Sequence, residues 1–319
     1  FWLPQAYRSA IGPVAALFAI MTKVGVYAML RCDALVFGGV HGVLGDFMHD
    51  WVWWLAIATI VFGALGALAV QSLKATTGYA LLVSVGLLIA ALSMQTVTAW
   101  SALLYYLVST TLCTAALFVL ADVLERQPQT PEAADELGPR GAVADFSTAP
   151  APSAPSTAST PSVPAAAIAS VPGVTPPPRA AALLFLVAAI GAIGLPPLSG
   201  FLGKAMVLAA TPLPRAVVLW PVVLVSGLVL IVALSRTGTR ILWAIPASYG
   251  AAPPPATSHH RHRNGSGTTR ARLAACALLL ACVVAVTLGA GPLKQYLDAT
   301  AAQLSDRAAY VDAVLDARR

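Results

Sequence analysis

AALLFLVAAIGAIGLPPLSGFLGKAMVLAA, residues 181–210, holds one charged side chain, Lys204, in thirty positions. A continuous helix of that length would rise about 45 Å, longer than the roughly 30 Å hydrocarbon core of a bilayer. It cannot be continuous, because Pro196 and Pro197 remove two backbone donors and Gly194 and Gly200 flank them. The segment therefore reads as a membrane helix that breaks or unwinds at GLPPLSG.

Six further apolar blocks surround it, over about 10–32, 51–71, 77–95, 97–122, 215–245 and 271–290. The chain has 319 residues, 58% of them hydrophobic and 10% charged, with a mean hydropathy of +0.78. A soluble domain carries roughly 25% charged residues, so a water-soluble enzyme is excluded. The fold class read from this is an all-α polytopic membrane protein with about seven transmembrane helices.

The apolar blocks set the domain organisation. Residues 1–125 and 180–249 are membrane helices, 271–292 is the last membrane helix, and 293–319 is an amphipathic C-terminal tail. In that tail Leu297, Ala301, Leu304, Ala308, Val311 and Leu315 recur at helical spacing. Residues 126–179 are rich in Pro, Ala, Ser and Thr and cannot bury a core, so they read as a disordered loop. The Arg/His-rich stretch 250–270 reads the same way. The chain opens on Phe1 with no leader-like pattern, and the expectation is a C-terminal fragment.

Charge distribution gives an orientation. The stretch 236–272 carries Arg236, Arg240, Arg261, Arg263, Arg270 and Arg272 without an acid, and the positive-inside rule makes it cytoplasmic. Alternation then puts Arg8, Lys74, Arg126, Arg140 and Arg179 on the same side. Arg31, Arg215, Lys294, Arg307, Arg318 and Arg319 fall on the other. Basic residues between spans set topology here, and no nucleic-acid partner is expected.

Two lysines remain inside spans. Lys23 lies about 13 residues into the first, roughly 20 Å at helical rise. It either faces a hydrated interior or snorkels toward the far interface. Lys204 follows the helix break; it is either a mid-membrane group of an ion-coupled transporter or an interfacial anchor. All 13 acids lie outside the spans or at their edges, so no intramembrane carboxylate balances either lysine. The remaining polar lining is hydroxyl: Ser84, Tyr105, Ser109, Thr110, Thr111 and Thr114, with Ser93, Thr96 and Tyr106 nearby. Such hydroxyls usually satisfy their own helix carbonyls, and some of these could order water in a path.

Other chemistry finds no support. Cys32, Cys113, Cys276 and Cys282 lack metal or redox spacing and read as packing residues. His259, His260 and His262 lie in the Arg-rich loop, and no metal or cofactor is expected. There is no phosphate-binding loop, catalytic triad or carboxylate pair, hence no catalytic residue.

FWLPQAY (1–7), LFAIMTKVGVYAMLR (17–31), LKATTGYALLVSVG (73–86), SALLYYLVSTTLCTAALFVLADVLERQ (101–127), GLPPLSGFLGKAMVL (194–208) and ALSRTGTRILW (233–243) occur in an order that resembles the antiporter-like subunits shared by respiratory complex I and Mrp-type antiporters. The ending YLDATAAQLSDRAAYVDAVL (296–315) is similar to D-type subunits of multisubunit monovalent cation/proton antiporters (Mrp, Mnh or Pha type). That family's fold is a fourteen-helix bundle with two inverted five-helix repeats, and the resemblance implies that this chain carries helices eight to fourteen. It also implies that Lys23 is the central lysine of a proton relay and Lys204 its terminal group on a broken helix. Where many relatives place histidines or a lysine in the second repeat, this chain has Val85, Ser109, Thr110, Thr111 and Thr114. The family's glutamate–lysine pair would lie upstream of Phe1.

The function implied is a membrane subunit of a Na⁺ or K⁺/H⁺ antiporter in a bacterial plasma membrane. Its partners would be other membrane subunits of the same complex, the lipid bilayer, and the ions H⁺ and Na⁺ or K⁺. A proton-pumping subunit of an NADH:quinone oxidoreductase-type complex is the alternative, as is a non-transporting scaffold.

Overall fold

The structure is a computed structural model that describes residues 2–37, 43–125, 179–242 and 265–306. The loop expected at 126–179 lies outside the described residues apart from Arg179, as do 250–264 and 307–319.

All regular structure among the described residues is helical. In chain order the helices are α1 (Trp2–Ser9), α2 (Gly12–Cys32), α3 (Val43–Ala69), α4 (Leu73–Leu92), α5 (Val97–Glu125), α6 (Arg179–Ile193), α7 (Ser199–Ala209), α8 (Leu213–Leu242), α9 (Gly265–Leu288) and α10 (Ala290–Ser305). Six segments are long and apolar enough to cross a bilayer: Gly12–Leu35, Met48–Ala69, Leu73–Leu92, Val97–Glu125, Leu213–Ile241 and Thr269–Leu288. The chain is a multi-pass membrane protein.

Six of the expected spans are long helices, and the segment expected to break at GLPPLSG is the pair of short helices α6 and α7, because Pro196 and Pro197 follow the end of one helix and Leu198 starts the next. Helix α9 begins at Gly265, within the stretch 250–270 whose first part lies outside the described residues. Its first turns are polar but contain no proline, so nothing stops the helix from extending beyond its apolar part.

Helix α5 is the axis of the bundle. It packs against α2, α4, α6, α7, α9 and α10, and most of its side chains are buried, from Ala99 to Leu124. Helices α2, α3 and α8 instead turn large apolar side chains outward, among them Met21, Trp54, Leu65, Val217 and Leu224. Hydrocarbon tails solvate such surfaces as well as protein does, so association here depends on close packing and polar contacts. Small residues provide the closeness. A Cβ on Gly66 would run into the Tyr79 ring, and one on Gly86 would sit 3.0 Å from the Ala56 carbonyl, so α3 and α4 touch nearly backbone to backbone.

Charged side chains gather at the two ends of the bundle. At one end Asp122 takes Lys74 at 3.0 Å and Arg272 at 2.6 Å. The Glu125 carboxylate there accepts the backbone N–H groups of Leu73 and Lys74, capping α4 where its dipole is positive. Arg236 donates to the Leu68 and Val70 carbonyls at 2.6 and 2.8 Å. At the other end Asp33 holds His49 at 3.1 Å and accepts from Gln95. Arg215 reaches Asp50 at 2.7 Å and the Ser93 carbonyl at 2.8 Å, and lies over the Trp53 ring. Lys74, Arg236 and Arg272, assigned to one side from sequence, meet at one end, and Arg215 is at the other.

Helix α10 runs along the end of the bundle at which α5 starts. It buries Leu297, Ala301 and Leu304, the first three positions of the expected amphipathic stripe. The Ser101 hydroxyl on α5 donates to the Asp298 carboxylate, which also pairs with Lys294 at 2.6 Å.

Candidate functional site

Lys23 sits at the middle of the 24-residue span Gly12–Leu35 and is 1% exposed. Its side chain does not snorkel. The ammonium donates to Ser84 Oγ on α4 at 3.0 Å and to Thr110 Oγ1 on α5 at 2.5 Å. Each hydroxyl is oriented to accept: Ser84 gives its own proton to the Leu81 carbonyl at 2.8 Å, and Thr110 leans on Leu107 at 3.4 Å. Serine and threonine have lone pairs left after such back-bonding, which lets two helices hold a lysine without a carboxylate. An ammonium has three donors, so one remains for a mobile partner.

Lys204 is 8% exposed, on α7, and turns back into the break. A helical side chain leans toward the N-terminus of its own helix, and Nζ thereby reaches the Ile193 carbonyl at the end of α6, at 2.5 Å. The last carbonyls of a helix have no intrahelical donor, and Lys204 supplies one. Gly194 makes this possible: its φ is +78°, and a Cβ there would stand 2.9 Å from Lys204 Cδ. The ammonium is therefore engaged inside the bundle. Lys204 also borders a cavity of about 610 Å³ shared with Pro196, Phe201, Trp220 and Leu224.

One face of α5 runs from the Thr110 contact with Lys23 to the contacts with α7 and α6. Tyr106, Ser109, Thr110 and Cys113 follow the i, i+3, i+4, i+7 pattern of a single helix face. Thr110 holds Lys23. A Cβ on Gly203, next to Lys204, would meet the Tyr106 ring at 2.8 Å, and one on Gly191 would meet Cys113 Sγ at 2.8 Å.

The expected hydroxyl lining divides. Ser84 and Thr110 converge on Lys23. Thr111 and Thr114 give their protons to the carbonyls of Leu107 and Thr110 at 2.6 and 2.7 Å, and Tyr105 reaches the Val286 carbonyl at 3.3 Å. Ser109 Oγ is buried without a hydrogen-bond partner among the described residues. Ser199 Oγ, in the break motif, is in the same condition. Sequence reasoning missed Ser199 as a lining residue; the available signal was a hydroxyl at the first helical position after a double proline. Among the described residues no group of three or more His, Cys, Asp or Glu could hold a metal.

Residues 1–137 match the sequence profile of the NADH:quinone oxidoreductase/Mrp antiporter transmembrane family. Over its full length the chain is 32% identical to the D-type subunit of a probable K(+)/H(+) antiporter from Rhizobium meliloti (strain 1021), covering 56% of that protein. The chain belongs to this antiporter-like family. It is also 26% identical, over 99% of its length, to the D-type subunit of the Na(+)/H(+) antiporter of Bacillus subtilis (strain 168), of which it covers 54%. This antiporter-like chain thus spans about half the length of the curated relatives it matches. In three dimensions it is similar to a chain of the Mrp complex from Dietzia sp. DQ12-45-1b, with a TM-score of 0.69 and 22% identity over 98% of this chain and 57% of that one. A chain of an archaeal membrane-bound sulfane sulfur reductase gives a TM-score of 0.66 at 18% identity, over 98% of this chain and 53% of that one. At those identities the likeness is one of fold.

Proposed function

We propose that this chain is a membrane subunit of a multisubunit monovalent cation/proton antiporter in a bacterial plasma membrane, where it conducts protons to drive Na⁺ or K⁺ efflux. The observation that carries the proposal is the buried Lys23 at mid-span, held among the described residues by the Ser84 and Thr110 hydroxyls, with Thr110 on the helix α5 that also packs against α7, the helix of the buried Lys204. Two like charges in a low-dielectric interior oppose each other, so protonating one lysine drives the proton off the other. Helices α6 and α7 together form the seventh crossing, and the seven crossings correspond to helices eight to fourteen of the family's bundle. Other membrane subunits of the same complex cover the apolar flanks of α2, α3 and α8, and the Arg-rich connection 236–272 faces the cytoplasm.

The names of the relatives support an antiporter over a redox-coupled pump. The test uses everted vesicles from antiporter-deficient cells expressing this chain with the other subunits of its complex. Lys204→Ala abolishes the Na⁺- or K⁺-induced collapse of a respiration-made pH gradient while the complex still assembles. An undiminished collapse removes Lys204 from the path. A gradient made by this complex from NADH oxidation would indicate the redox pump instead.

A further inference from the structure

Ser109 and Ser199 are both fully enclosed, each at 0% exposure, and neither hydroxyl has a hydrogen-bond partner among the described residues. That sets them apart from other enclosed hydroxyls of the bundle. Ser84, Ser93, Thr114, Ser226 and Thr237 all give their protons to a carbonyl three or four residues back. An enclosed polar group without a partner costs about 1–3 kcal/mol, so two on touching helices call for one explanation.

Their register supplies it. Helices α5 and α7 touch at two levels. Tyr106 meets Gly203, and Cys113 packs with Leu198. The α5 numbers rise while the α7 numbers fall, so residues 109–112 come opposite 199–201. Ser109 lies on the Tyr106/Cys113 face of α5, and Ser199 lies one turn before Gly203 on the face that α7 turns to α5. The two hydroxyls therefore address the same gap between helices. Helix α7 starts beside that gap without a side-chain cap, its N-cap residue being Leu198, which leaves first-turn N–H groups such as those of Ser199 and Gly200 without an intrahelical acceptor. Thr110, the hydroxyl that holds Lys23, is the next residue after Ser109.

We infer that Ser109 and Ser199 jointly hold one water molecule at the α5–α7 crossing, placed between Lys23 and Lys204. A buried water takes about three hydrogen bonds from groups otherwise unsatisfied; here two come from the hydroxyls and another from the start of α7. The inference rests on the lysine pathway proposed above and gives it a connecting step. As the Lys23 ammonium gives a proton to this water, the water releases another toward the Lys204 amine, and both lysines exchange charge with no other species consumed. Ser109 and Ser199 are positioning residues in this step.

Ser109→Ala, Ser199→Ala and the double variant are compared in the assembled complex in everted vesicles, with flux expressed per assembled complex. Lys23→Ala and Lys204→Ala are measured alongside. Each serine variant lowers proton flux about tenfold, and the double variant falls no further than the lower single one, because either change empties the same site. The solvent deuterium isotope effect on flux also changes in the serine variants, which a packing role would leave alone. Singles at the normal rate, or losses that multiply in the double variant, overturn the shared water. If the lysine variants abolish flux while the serine variants do not, only the water site fails. If the lysine variants transport normally, the pathway itself fails. A map of the assembled complex that resolves ordered waters provides an independent check: density within hydrogen-bond distance of both Oγ atoms is expected, and dry density there overturns the inference.

Discussion

Lys23 separates a charge requirement from a proton requirement. Arginine at this position would keep a positive charge, and its guanidinium has donors enough for both Ser84 Oγ and Thr110 Oγ1. It would not release a proton at any physiological pH, since its pKa exceeds about 12. Lys23→Arg therefore assembles into the complex yet loses cation-induced proton flux by at least about tenfold, the change that 1.4 kcal/mol of lost coupling would give. The measurement is pH-gradient dissipation in everted vesicles, normalised to assembled complex. If Lys23→Arg transports at the normal rate, Lys23 serves only as a fixed charge between α2, α4 and α5. The residue's position in the span was legible from sequence, because an isolated lysine in a long apolar block is expensive and easily seen. Its partners were not, because hydroxyls are cheap in membrane helices and most of them, like Thr111 and Thr114, simply bond their own backbone.

At the scale of elements, α10 illustrates a contact with a defined pH window. The Asp298 carboxyl is held below its ordinary value of 3.8 by the hydrogen bond from Lys294 first and by that from Ser101 second. A carboxyl depressed in the folded protein stabilises the docked helix fully above its unfolded pKa. That contribution is lost as pH falls through the lower, folded value. Amide protection along α10, measured by hydrogen exchange in detergent, is therefore level with respect to this group between about pH 5 and 8 and declines only below about pH 3.8. Ser101→Ala reduces protection throughout, because it removes the hydrogen bond that ties α10 to α5. A decline already at pH 6 would mean that a different group governs the docking. The helical stripe of α10 was readable because Leu297, Ala301 and Leu304 keep a 3.6-residue period. Its start at Ala290 and the start of α9 at Gly265 were not, since helix ends in polar sequence depend on what each turn packs against. The break between α6 and α7 was readable because a double proline removes donors whatever surrounds it. Ser199 passed unnoticed there because the sequence shows that a helix restarts but not which face of it turns inward.

At the scale of the molecule, orientation rests on the segregation of charge. Lys74, Arg236 and Arg272 meet at one end, where α4 begins and α5 ends, and the Asp122 carboxylate ties Lys74 and Arg272 together. Arg215 and the Asp33–His49–Gln95 group mark the other end, and α10 docks where α5 begins. Translocating lysines and arginines is unfavourable, so the proposed orientation keeps the end with the arginine-rich connection in the cytoplasm. That places the α8–α9 connection and α10 on opposite faces of the membrane, a separation that a chemical label can read. Tyr296 on α10 is 70% exposed, and Ser258 belongs to the α8–α9 connection. In a background without Cys32 and Cys282, the two exposed cysteines among the described residues, Tyr296→Cys reacts with a membrane-impermeant maleimide in intact cells with a permeable outer layer, whereas Ser258→Cys reacts only after vesicles are everted. The reverse pattern would invert the orientation and, with it, the side from which the proposed relay takes up protons. Labelling of both positions from one side would mean that α9, the one helix between them, does not cross the bilayer, and the pairing of charge at the two ends would then no longer fix an orientation.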